Sequence, residues 1–395
     1  MTSAILGFDS IARTRILFGL NTIDRLGELA REFSSRRALV VTDKGIINAG
    51  HVDRACQSLT AAGIESVVFS EVRENPTTRD VDSCLEVARD SQIDLIIGLG
   101  GGSSMDTAKG CNFLLTNGGR MQDYWGVGKA TREMLPLIAV PTTAGTGSEC
   151  QSFALIADEA THAKMACGDP KAAPRIAILD PMITVSQPRG IAACTGIDAV
   201  SHAVETAVTR KRNELSQLYS REAFRLTMRH LPCVLQDPEN IDARAGMLLG
   251  AAFAGTAIEN SMLGAAHSAA NPLTAHFNIV HGQAVGMMLP HVVRFNAELP
   301  EMRMLYRDLA ISGGLVHPDA SGPDAVEALA TRLEELLALA DMPISLADCG
   351  VDEASIPTLA AEAASQWTAQ FNPRVPAARE FESLYHSAFR KGSTV

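Results

Sequence analysis

The sequence lacks several features that would assign it to a specialised class of protein. None of its eight cysteines forms a C-x-x-C pair, so neither a cysteine-ligated zinc site nor a dithiol redox motif is expected. Acidic residues outnumber basic ones by 45 to 34, and the formal charge of -11 argues against nucleic acid or an anionic membrane as the main partner. No apolar run reaches the roughly 18 residues of a membrane span.

Marks of secretion are missing as well. Residues 1–15 have no long apolar core after a basic start, so no signal peptide is expected. Scattered cysteines suit a reducing compartment, and a cytoplasmic location is therefore predicted. The composition is that of an ordinary globular protein, with 46% hydrophobic and 20% charged residues. A length of 395 residues is enough for two or three domains with large cores.

The first half of the chain alternates short apolar runs with segments of helical periodicity. This alternation predicts a parallel sheet with helices on both faces. The predicted strands are Arg15–Phe18, Ala38–Thr42, Ser66–Phe69, Leu95–Leu99, Leu137–Val140 and Ile176–Leu179. Beyond Pro181–Pro188, helical spacing dominates the sequence. We therefore predict an α/β domain over residues 1–187 and an all-helical domain over residues 188–395.

A glycine cluster follows the predicted strand Leu95–Leu99 and precedes a predicted helix that begins near Ser103. Gly100, Gly101 and Gly102 have no Cβ, so their backbone N–H groups can approach a phosphate closely. The N-terminus of the following helix adds partial positive charge, which suits a pyrophosphate. The spacing is a near miss to the dinucleotide fingerprint, and a tight turn between strand and helix is the alternative interpretation.

Two other segments fit the same interpretation. Asp43 ends the second predicted strand, where its carboxylate can accept hydrogen bonds from a ribose 2′-OH and repel a 2′-phosphate, which favours NAD over NADP. Capping of the following segment is the alternative role for Asp43. Pro141–Glu149 (PTTAGTGSE) is a second loop of small residues after a predicted strand, and a polar turn explains it equally well.

A carboxylate and three histidines indicate a metal site in the second half of the chain. Asp198 and His202 are four residues apart, which places both on one face of a helix. His267 and His281 supply two more imidazoles. This ligand set suits Fe²⁺, Zn²⁺, Ni²⁺ or Co²⁺ and does not suit Mg²⁺ or Ca²⁺. Most other histidines are expected not to be ligands, among them His51, His162, His230, His276, His291 and His386.

Taken in order, these segments resemble the iron-containing (group III) alcohol dehydrogenase family. The resemblance runs over nearly the whole chain, and its ordered set of motifs is far more specific than any single one. The motifs are Phe18-Gly19, Val41–Lys44, Asn75-Pro76, Gly100–Lys109, Pro141–Glu149, Asp180-Pro181, Gly196–Glu205 and the segment from His267 to His281.

The resemblance implies an α/β dinucleotide-binding domain with a parallel sheet, followed by an all-α domain, with the active site in the cleft between them. It implies an NAD(P)-linked dehydrogenase that acts on small alcohols, aldehydes or ketones, and it favours a homodimer. The implied metal ligands are Asp198, His202, His267 and His281. The implied cofactor contacts are Asp43, Asn75, Gly101, Gly102, Ser103, Thr142, Thr143, Thr146 and Lys164. Phe153 and Phe253 fall where the family lines its substrate pocket.

The expected mechanism follows from that family. The ion acts as a Lewis acid on the substrate oxygen, while a hydride passes between the substrate carbon and C4 of the nicotinamide. His267 and His281 are expected to serve catalysis as ligands. Four protein ligands would close a tetrahedral zinc site, whereas Fe²⁺ accepts a higher coordination number, so Fe²⁺ is preferred and Zn²⁺ is the alternative.

One position departs from the family pattern. Many members have a histidine four residues after the third ligand, and Asn271, which cannot titrate, stands there in this chain. If that histidine relays a proton, another group must replace it. We consider His276 as the substitute, with ordinary packing as the alternative.

Other functions stay open at this stage. A lyase like dehydroquinate synthase, or an enzyme of the glycerol dehydrogenase type, would share the fold but usually carries a different ligand set. A metal-free enzyme like maleylacetate reductase would not need the intact ligands. A non-catalytic nucleotide- or metal-binding protein is the alternative from another class, and Asn271 is the residue that favours it.

Overall fold

The computed structural model describes residues 7–161 and 163–389, which leaves part of the N-terminal segment discussed above outside the described residues. The chain forms two compact units. The first, here called the α/β unit, spans Ile11–Gln187, and the second, the helical unit, begins at Pro188. Residues 7–10 group with the helical unit, where Ser10 Oγ donates a hydrogen bond to Asn260 Oδ1 at 2.8 Å.

The described part of the α/β unit contains nine strands and five α-helices. The strands are β1 (Arg15–Phe18), β2 (Arg37–Val41), β3 (Glu65–Phe69), β4 (Leu95–Gly100), β5 (Gly126–Val127), β6 (Leu137–Pro141), β7 (Phe153–Ala157), β8 (Lys164–Gly168) and β9 (Ile176–Leu179). The helices are α1 (Leu26–Arg31), α2 (Lys44–Asn48), α3 (His51–Ala61), α4 (Thr78–Ser91) and α5 (Gly102–Asn117).

Six strands form one parallel sheet in the order β1-β9-β6-β4-β2-β3. Successive side chains of a strand point to opposite faces. In β2, Leu39 and Val41 lie in the hydrophobic core on one face, while Ala38 and Val40 lie in the core on the other. Burial on both faces explains why these strands are uninterrupted apolar runs in the sequence, and it confirms the predicted parallel sheet.

A second, three-stranded sheet was not predicted. Its order is β5-β8-β7, and β7 and β8 form an antiparallel pair in which Phe153 is opposite Gly168 and Ala157 is opposite Lys164. β7 alternates between buried and partly buried residues, as a strand with one covered face does. The sheet therefore places Phe153 and Lys164 at the two ends of one hairpin.

The helical unit contains no strand among its described residues, which confirms the predicted change of class. Its helices are α6 (Arg189–Thr206), α7 (Glu214–Gln236), α8 (Ile241–Asn260), α9 (Ala265–Phe277), α10 (His281–Asn296), α11 (Pro300–Ser312), α12 (Gly322–Leu339), α13 (Ile356–Ser365) and α14 (Ala378–Phe389). Prolines lie inside α7, α9 and α10, and the helices continue through them.

One helix in the described ranges, α8, is long and apolar enough by length and composition to cross a membrane. This apolar part of α8 is 61% buried inside the protein. There α8 packs against α6 and α7. The core helices of soluble proteins meet the same criterion, so this helix is weak evidence for a membrane span.

Candidate active site

Three helices of the helical unit bring the four predicted metal ligands together. Asp198 and His202 lie one turn apart in the middle of α6. His267 is the third residue of α9, and His281 is the first residue of α10. Helix α10 approaches α6 closely at Gly282, where a Cβ would lie 2.0 Å from the carbonyl oxygen of Cys194. Only glycine permits this approach, which places His281 beside α6.

The four side chains converge on one carboxylate oxygen. Asp198 Oδ1 lies 3.4 Å from His202 Nε2, 3.4 Å from His267 Nε2 and 4.0 Å from His281 Nε2. The candidate ligand atoms of Asp198, His267 and His281 all lie within 4.8 Å of one another. The rings of His202 and His267 stack with their centroids 4.9 Å apart. The arrangement thus directs three imidazoles and one carboxylate at a single point.

Two atoms of this cluster lack the hydrogen bonds that buried polar atoms normally have. Asp198 Oδ1 and His267 Nε2 are both buried, and neither forms a hydrogen bond with any described residue. A divalent ion would satisfy both, because a carboxylate oxygen and an imidazole nitrogen are ligands that iron and zinc accept. The residues present therefore fit a transition-metal ion.

A fifth side chain, that of Glu205, contacts one of the four ligands and was not predicted from the sequence. Glu205 lies near the end of α6 and is buried. Its Oε2 lies 2.6 Å from His267 Nδ1, the ring nitrogen on the far side from Asp198. The available signal was spacing: Glu205 follows Asp198 by seven residues, which is two helical turns and returns to the same face.

Burial and charge have opposite effects on the ionisable groups of the cluster. Burial alone raises the pKa of Asp198, but the neighbouring imidazoles more than offset it, and the net pKa lies well below the usual range. Burial lowers the pKa of His267, yet Glu205 and Asp198 together raise the net value to about 9. The buried carboxylates thus attract positive charge to this point, either as protons or as a metal ion.

The structure does not bring His276 to the cluster, which corrects its proposed role. His276 follows His267 in α9 by nine residues, which is roughly 180° around a helix. It is exposed, and its Nε2 pairs with Glu362 at 2.9 Å. Asn271 lies one turn beyond His267, and its amide donates a hydrogen bond to Gln366 Oε1 at 3.0 Å.

The other histidines need only brief mention. Within the described helical unit, His230, His291 and His386 are not part of the metal-type cluster. His51, in the α/β unit, forms a hydrogen bond with Ser186. His162 lies outside the described residues.

In the α/β unit, most of the predicted cofactor residues lie at the carboxyl edge of the parallel sheet. Four adjacent strands, β6, β4, β2 and β3, end at this edge. The predicted residues lie in the loops and turns that follow these strands: Thr142, Thr143 and Thr146 after β6, Gly101, Gly102 and Ser103 after β4, Asp43 after β2, and Asn75 after β3. In open α/β sheets, ligands bind at the carboxyl edge, near the point where the chain stops adding strands on one side of the sheet and continues on the other.

The two small-residue loops pack against each other. The N–H of Thr142 donates to the carbonyl oxygen of Gly100 at 2.9 Å. A Cβ on Gly102 would lie 2.8 Å from Thr146 Cγ2, so glycine is required for this close approach. Helix α5 begins at Gly102, so its unpaired backbone N–H groups lie beside the threonine loop. The arrangement offers N–H groups and hydroxyls to an anion such as a pyrophosphate.

Asp43 caps the following helix and also faces the glycine loop. Its Oδ1 caps α2 by accepting hydrogen bonds from the N–H groups of Gly45 and Ile46. Its Oδ2 points to the glycine loop and lies 3.6 Å from the position of a Cβ on Gly100. One carboxylate oxygen therefore serves the fold, and the other faces the predicted nucleotide loop.

The remaining predicted residues lie in different elements. Lys164 is the first residue of β8. Burial raises the pKa of the Asp106 carboxyl in α5, and the nearby positive charge of Lys164 offsets this increase only in part. Phe153 begins β7 and is partly buried. In the helical unit, Phe253 of α8 is partly buried, and its ring lies 5.6 Å from that of Tyr219.

Comparison with known proteins identifies the family. The family model "Iron-containing alcohol dehydrogenase" matches residues 13–181, and the model "Fe-containing alcohol dehydrogenase family, C-terminal" matches residues 192–389. The chain belongs to the iron-containing alcohol dehydrogenase family.

Individual relatives cover almost the full chain. It is 34% identical over 385 residues to 1,3-propanediol dehydrogenase of Citrobacter freundii, covering 97% of this chain and 99% of that protein. It is 31% identical over 372 residues to the NAD-dependent methanol dehydrogenase of Bacillus methanolicus, covering 94% and 97%. The crystal structure of 1,3-propanediol oxidoreductase is similar with a TM-score of 0.93 at 33% identity, covering 97% of this chain and 100% of that one.

These comparisons confirm the predicted family, fold and enzyme class. This member is an oxidoreductase, an NAD-linked and metal-dependent alcohol dehydrogenase or aldehyde reductase, and the family takes NAD and iron as cofactors.

Proposed function

We propose that this alcohol dehydrogenase interconverts short alcohols and their carbonyl compounds with NAD, at a ferrous ion held by Asp198, His202, His267 and His281. The observation that supports this assignment most strongly is the buried Asp198 Oδ1. It forms no hydrogen bond with any described residue and lies 3.4 Å from the Nε2 atoms of His202 and His267. A buried carboxylate oxygen with that environment needs a cation.

The protein's own residues prepare this point for a cation. Asp198 contributes a negative charge that compensates part of the ion's charge, and the imidazoles bind through neutral nitrogens. Asp198, His202 and His267 are almost fully buried, whereas the His281 side chain is 26% exposed. Solvent therefore reaches the cluster mainly beside His281. When bound, the ion supplies Lewis acidity to an alcohol or carbonyl oxygen.

The loops of the α/β unit are the proposed NAD site. Backbone N–H groups at the start of α5 and the hydroxyls of Thr142, Thr143 and Thr146 would hold the pyrophosphate, with Asn75, Ser103 and Lys164 as further contacts. Asp43 Oδ2 would accept the ribose hydroxyls and disfavour a 2′-phosphate, which makes NAD the preferred cofactor over NADP. NAD supplies the hydride chemistry, and these residues supply its orientation.

The proposed substrates are short, primary and uncharged. The two relatives compared above are named for methanol and 1,3-propanediol, which are both short primary alcohols. We propose that Phe153 and Phe253 contact the carbon chain of the substrate. Neither Asn271 nor its hydrogen-bond partner Gln366 has a group that titrates near neutral pH, so we propose that no proton passes through position 271 in this enzyme.

We propose a homodimer that forms along strand β1. β1 is an edge strand that pairs only with β9 within the described sheet, so its other side has unpaired N–H and C=O groups. Large apolar side chains are exposed on and beside it, with Ile16 at 36%, Phe18 at 43% and Leu20 at 57%. A second copy of the same edge would pair these groups and cover the apolar surface. Light scattering of wild type and the Phe18→Lys variant would test this proposal, with a monomer expected for the variant.

We also propose a cytoplasmic location, which is supported by the eight free cysteines. Three of them, Cys56, Cys194 and Cys349, are partly exposed, and Cys233 is exposed. Such thiols persist in a reducing compartment. Fractionation of the native host should recover the enzyme with the cytoplasmic proteins.

The proposed function is tested by removing and restoring the metal. The chelator-treated protein is assayed for NADH oxidation with propanal, then reconstituted without oxygen with Fe²⁺ or Zn²⁺ and assayed again. Activity that returns only with a divalent ion supports the proposal and identifies a competent metal. Equal activity in the stripped protein would instead support a metal-free reductase, and a protein that binds NADH but never turns over would support the non-catalytic alternative.

A further inference from the structure

The Glu205 carboxylate uses both of its oxygens inside the protein. Oε2 lies 2.6 Å from His267 Nδ1 and accepts a hydrogen bond from the N–H of Gly264 at 3.1 Å. Oε1 accepts from the N–H of Ala266 at 2.7 Å. The side chain is 3% exposed, so no solvent competes for these contacts. Glu205 therefore joins α6 to the first turn of α9 and to one of the proposed metal ligands.

These contacts determine which nitrogen of His267 carries the proton. Backbone N–H groups can only donate, and an ionised carboxylate can only accept. The short contact to Oε2 is therefore a hydrogen bond donated by His267 Nδ1–H. In the neutral ring the other nitrogen, Nε2, then has a free lone pair. Nε2 is the atom that lies 3.4 Å from Asp198 Oδ1.

We propose that Glu205 is a positioning residue of the metal centre, which holds His267 in the tautomer and orientation that present the Nε2 lone pair to the ion. The inference rests on the proposed function, because it assigns a role toward the same ion. Carboxylates that accept the second N–H of a ligating histidine increase its basicity and fix its ring, and losing them costs about 10- to 100-fold in metal affinity.

If Glu205 had only a structural role, its loss would affect the start of α9 and not the metal affinity of His267 specifically. Glu205 also satisfies N–H groups at the start of α9, and a loss of that cap alone would loosen the helix. The chain offers a matched control in Asn372, which is buried and whose Oδ1 accepts a hydrogen bond from the N–H of Ala265 at 3.2 Å. Asn372 therefore caps the same helix end, and none of its hydrogen bonds involves His267.

The two variants to compare are Glu205→Gln and Asn372→Ala in the full chain. The amide of E205Q has one oxygen and one NH₂ group. At the Oε1 position the NH₂ group faces the N–H of Ala266, which then lacks its acceptor. At the Oε2 position it faces the N–H of Gly264 and also His267 Nδ1, where it favours the wrong tautomer. E205Q is nearly the same size as the native residue, so packing is preserved.

The experiment measures the Zn²⁺ dissociation constant by competition with a chromophoric chelator, without substrate or cofactor. We expect a 10- to 100-fold weaker constant in E205Q and a change of less than about threefold in N372A. Equal weakening in both variants, or wild-type affinity in E205Q, would overturn the inference. If the wild-type protein itself bound no Zn²⁺ at this cluster, the proposed function would fail instead, so the two failures are distinguishable.

A measurement on the wild-type protein decides the matter even if E205Q does not fold. With ¹⁵N-labelled histidine and bound Zn²⁺, the His267 signals, assigned by comparison with His267→Gln, report which nitrogen carries hydrogen. The inference requires a protonated Nδ1 and an Nε2 without hydrogen. A protonated Nε2, or an Nδ1 without hydrogen, would overturn it.

Discussion

The candidate sites in the two units of this dehydrogenase consist of different kinds of residue. The metal cluster of the helical unit consists of a carboxylate and imidazole side chains from three separate helices, and all but His281 are buried. The loops of the α/β unit consist of glycines and threonines, and they offer backbone N–H groups in local sequence order. The first site needs a cation to balance buried charge, whereas the second needs space for a ligand to approach the backbone.

Two buried glutamates, one in each unit, show this difference most clearly. Burial raises the pKa of both. At Glu205, His267 and the N–H groups of Gly264 and Ala266 more than offset burial, and the net pKa lies below its usual value. At Glu149, its own N–H and the charge of Lys109 offset burial only in part, and the net pKa is raised to about 7.

The comparison indicates how each site tolerates change. Both oxygens of Glu205 have partners inside the protein, so replacing this carboxylate breaks contacts of the metal cluster. Glu149 Oε1 forms no hydrogen bond with any described residue, and the backbone hydrogen bond that lowers the pKa of this carboxyl comes from its own N–H, so glutamine can replace it with little loss of hydrogen bonding. We therefore expect large losses from substitutions in the metal cluster and graded effects in the loops.

The largest expected effect is the loss of a metal ligand. His267→Ala should lose metal retention and turnover together, with turnover at least about 1000-fold lower, because metal ions supply several kcal/mol of charge stabilisation. Metal content by mass spectrometry and the rate of NADH oxidation check this. His276→Ala is the matched control, since His276 is exposed on the far side of α9, and it should keep both properties. Full turnover in a metal-free H267A protein would contradict the assignment.

The pH dependence of stability is the next test, through Glu149. Below pH 4.5 its carboxyl is protonated in both the folded and unfolded states. As pH rises from 4.5 to 7, the unfolded state ionises while the folded state holds its proton, because the folded pKa is about 7. The wild-type protein therefore loses about 3 kcal/mol of unfolding free energy over this window.

Glu149→Gln should remove this loss, since its side chain stays neutral. Urea unfolding at pH 5 and pH 8 should show E149Q gaining about 2 to 3 kcal/mol relative to wild type at the higher pH. Glu133→Gln makes the same chemical change at an exposed position and should leave the pH profile of the wild type intact. Parallel profiles for E149Q and wild type would contradict the raised pKa.

Crowding of the glycine loop should weaken NADH binding without affecting the metal. In Gly102→Ala the new Cβ would lie 2.8 Å from Thr146 Cγ2, and overpacking of this kind costs about 1 to 3 kcal/mol. We expect a roughly 10- to 100-fold weaker NADH dissociation constant by fluorescence titration, with unchanged metal content. Gly190→Ala is the control, because a Cβ there meets nothing within 4 Å. Unchanged NADH affinity in G102A would remove this loop from the cofactor site.

The smallest expected effect concerns the choice between NADH and NADPH. Asp43→Asn removes the negative charge, while asparagine remains a good N-cap for α2. We expect kcat/KM for NADPH to rise about tenfold relative to NADH, since repulsion of the 2′-phosphate is relieved. A ratio of the two kcat/KM values that stays at the wild-type level would show that Asp43 serves only as the cap.

Much of the fold could be predicted because its physical causes are local. Strand β4 was predicted over Leu95–Leu99 and spans Leu95–Gly100, since burial on both faces leaves an uninterrupted apolar run. β7 and β8 were not among the predicted strands, because each has only five residues and β8 is buried at four consecutive positions instead of alternating. Helices α9 and α10 were not predicted, and each contains a proline, Pro272 or Pro290, which sequence rules treat as a break.

The candidate site was predictable only where residue identity carries the chemistry. Asp198, His202, His267 and His281 are residue types that bind transition metals, and the structure brings them together. Glu205 was missed because a glutamate in a helix usually lies on a solvated face. His276 was chosen for its residue type alone, and the helical period places it away from the ligands. Spacing along each helix was the available signal in both cases, but contacts between helices that are distant in the sequence decide which helix face meets the cluster.

The central claim is that four side chains of the helical unit hold one ion. Its most direct test is anomalous diffraction at the zinc absorption edge from crystals of the Zn²⁺-reconstituted protein. The account predicts one strong peak about 2.0 to 2.2 Å from a carboxylate oxygen of Asp198 and from the Nε2 atoms of His202, His267 and His281. A fully loaded protein whose peak lies elsewhere, or which leaves Asp198 Oδ1 without the ion, would contradict it.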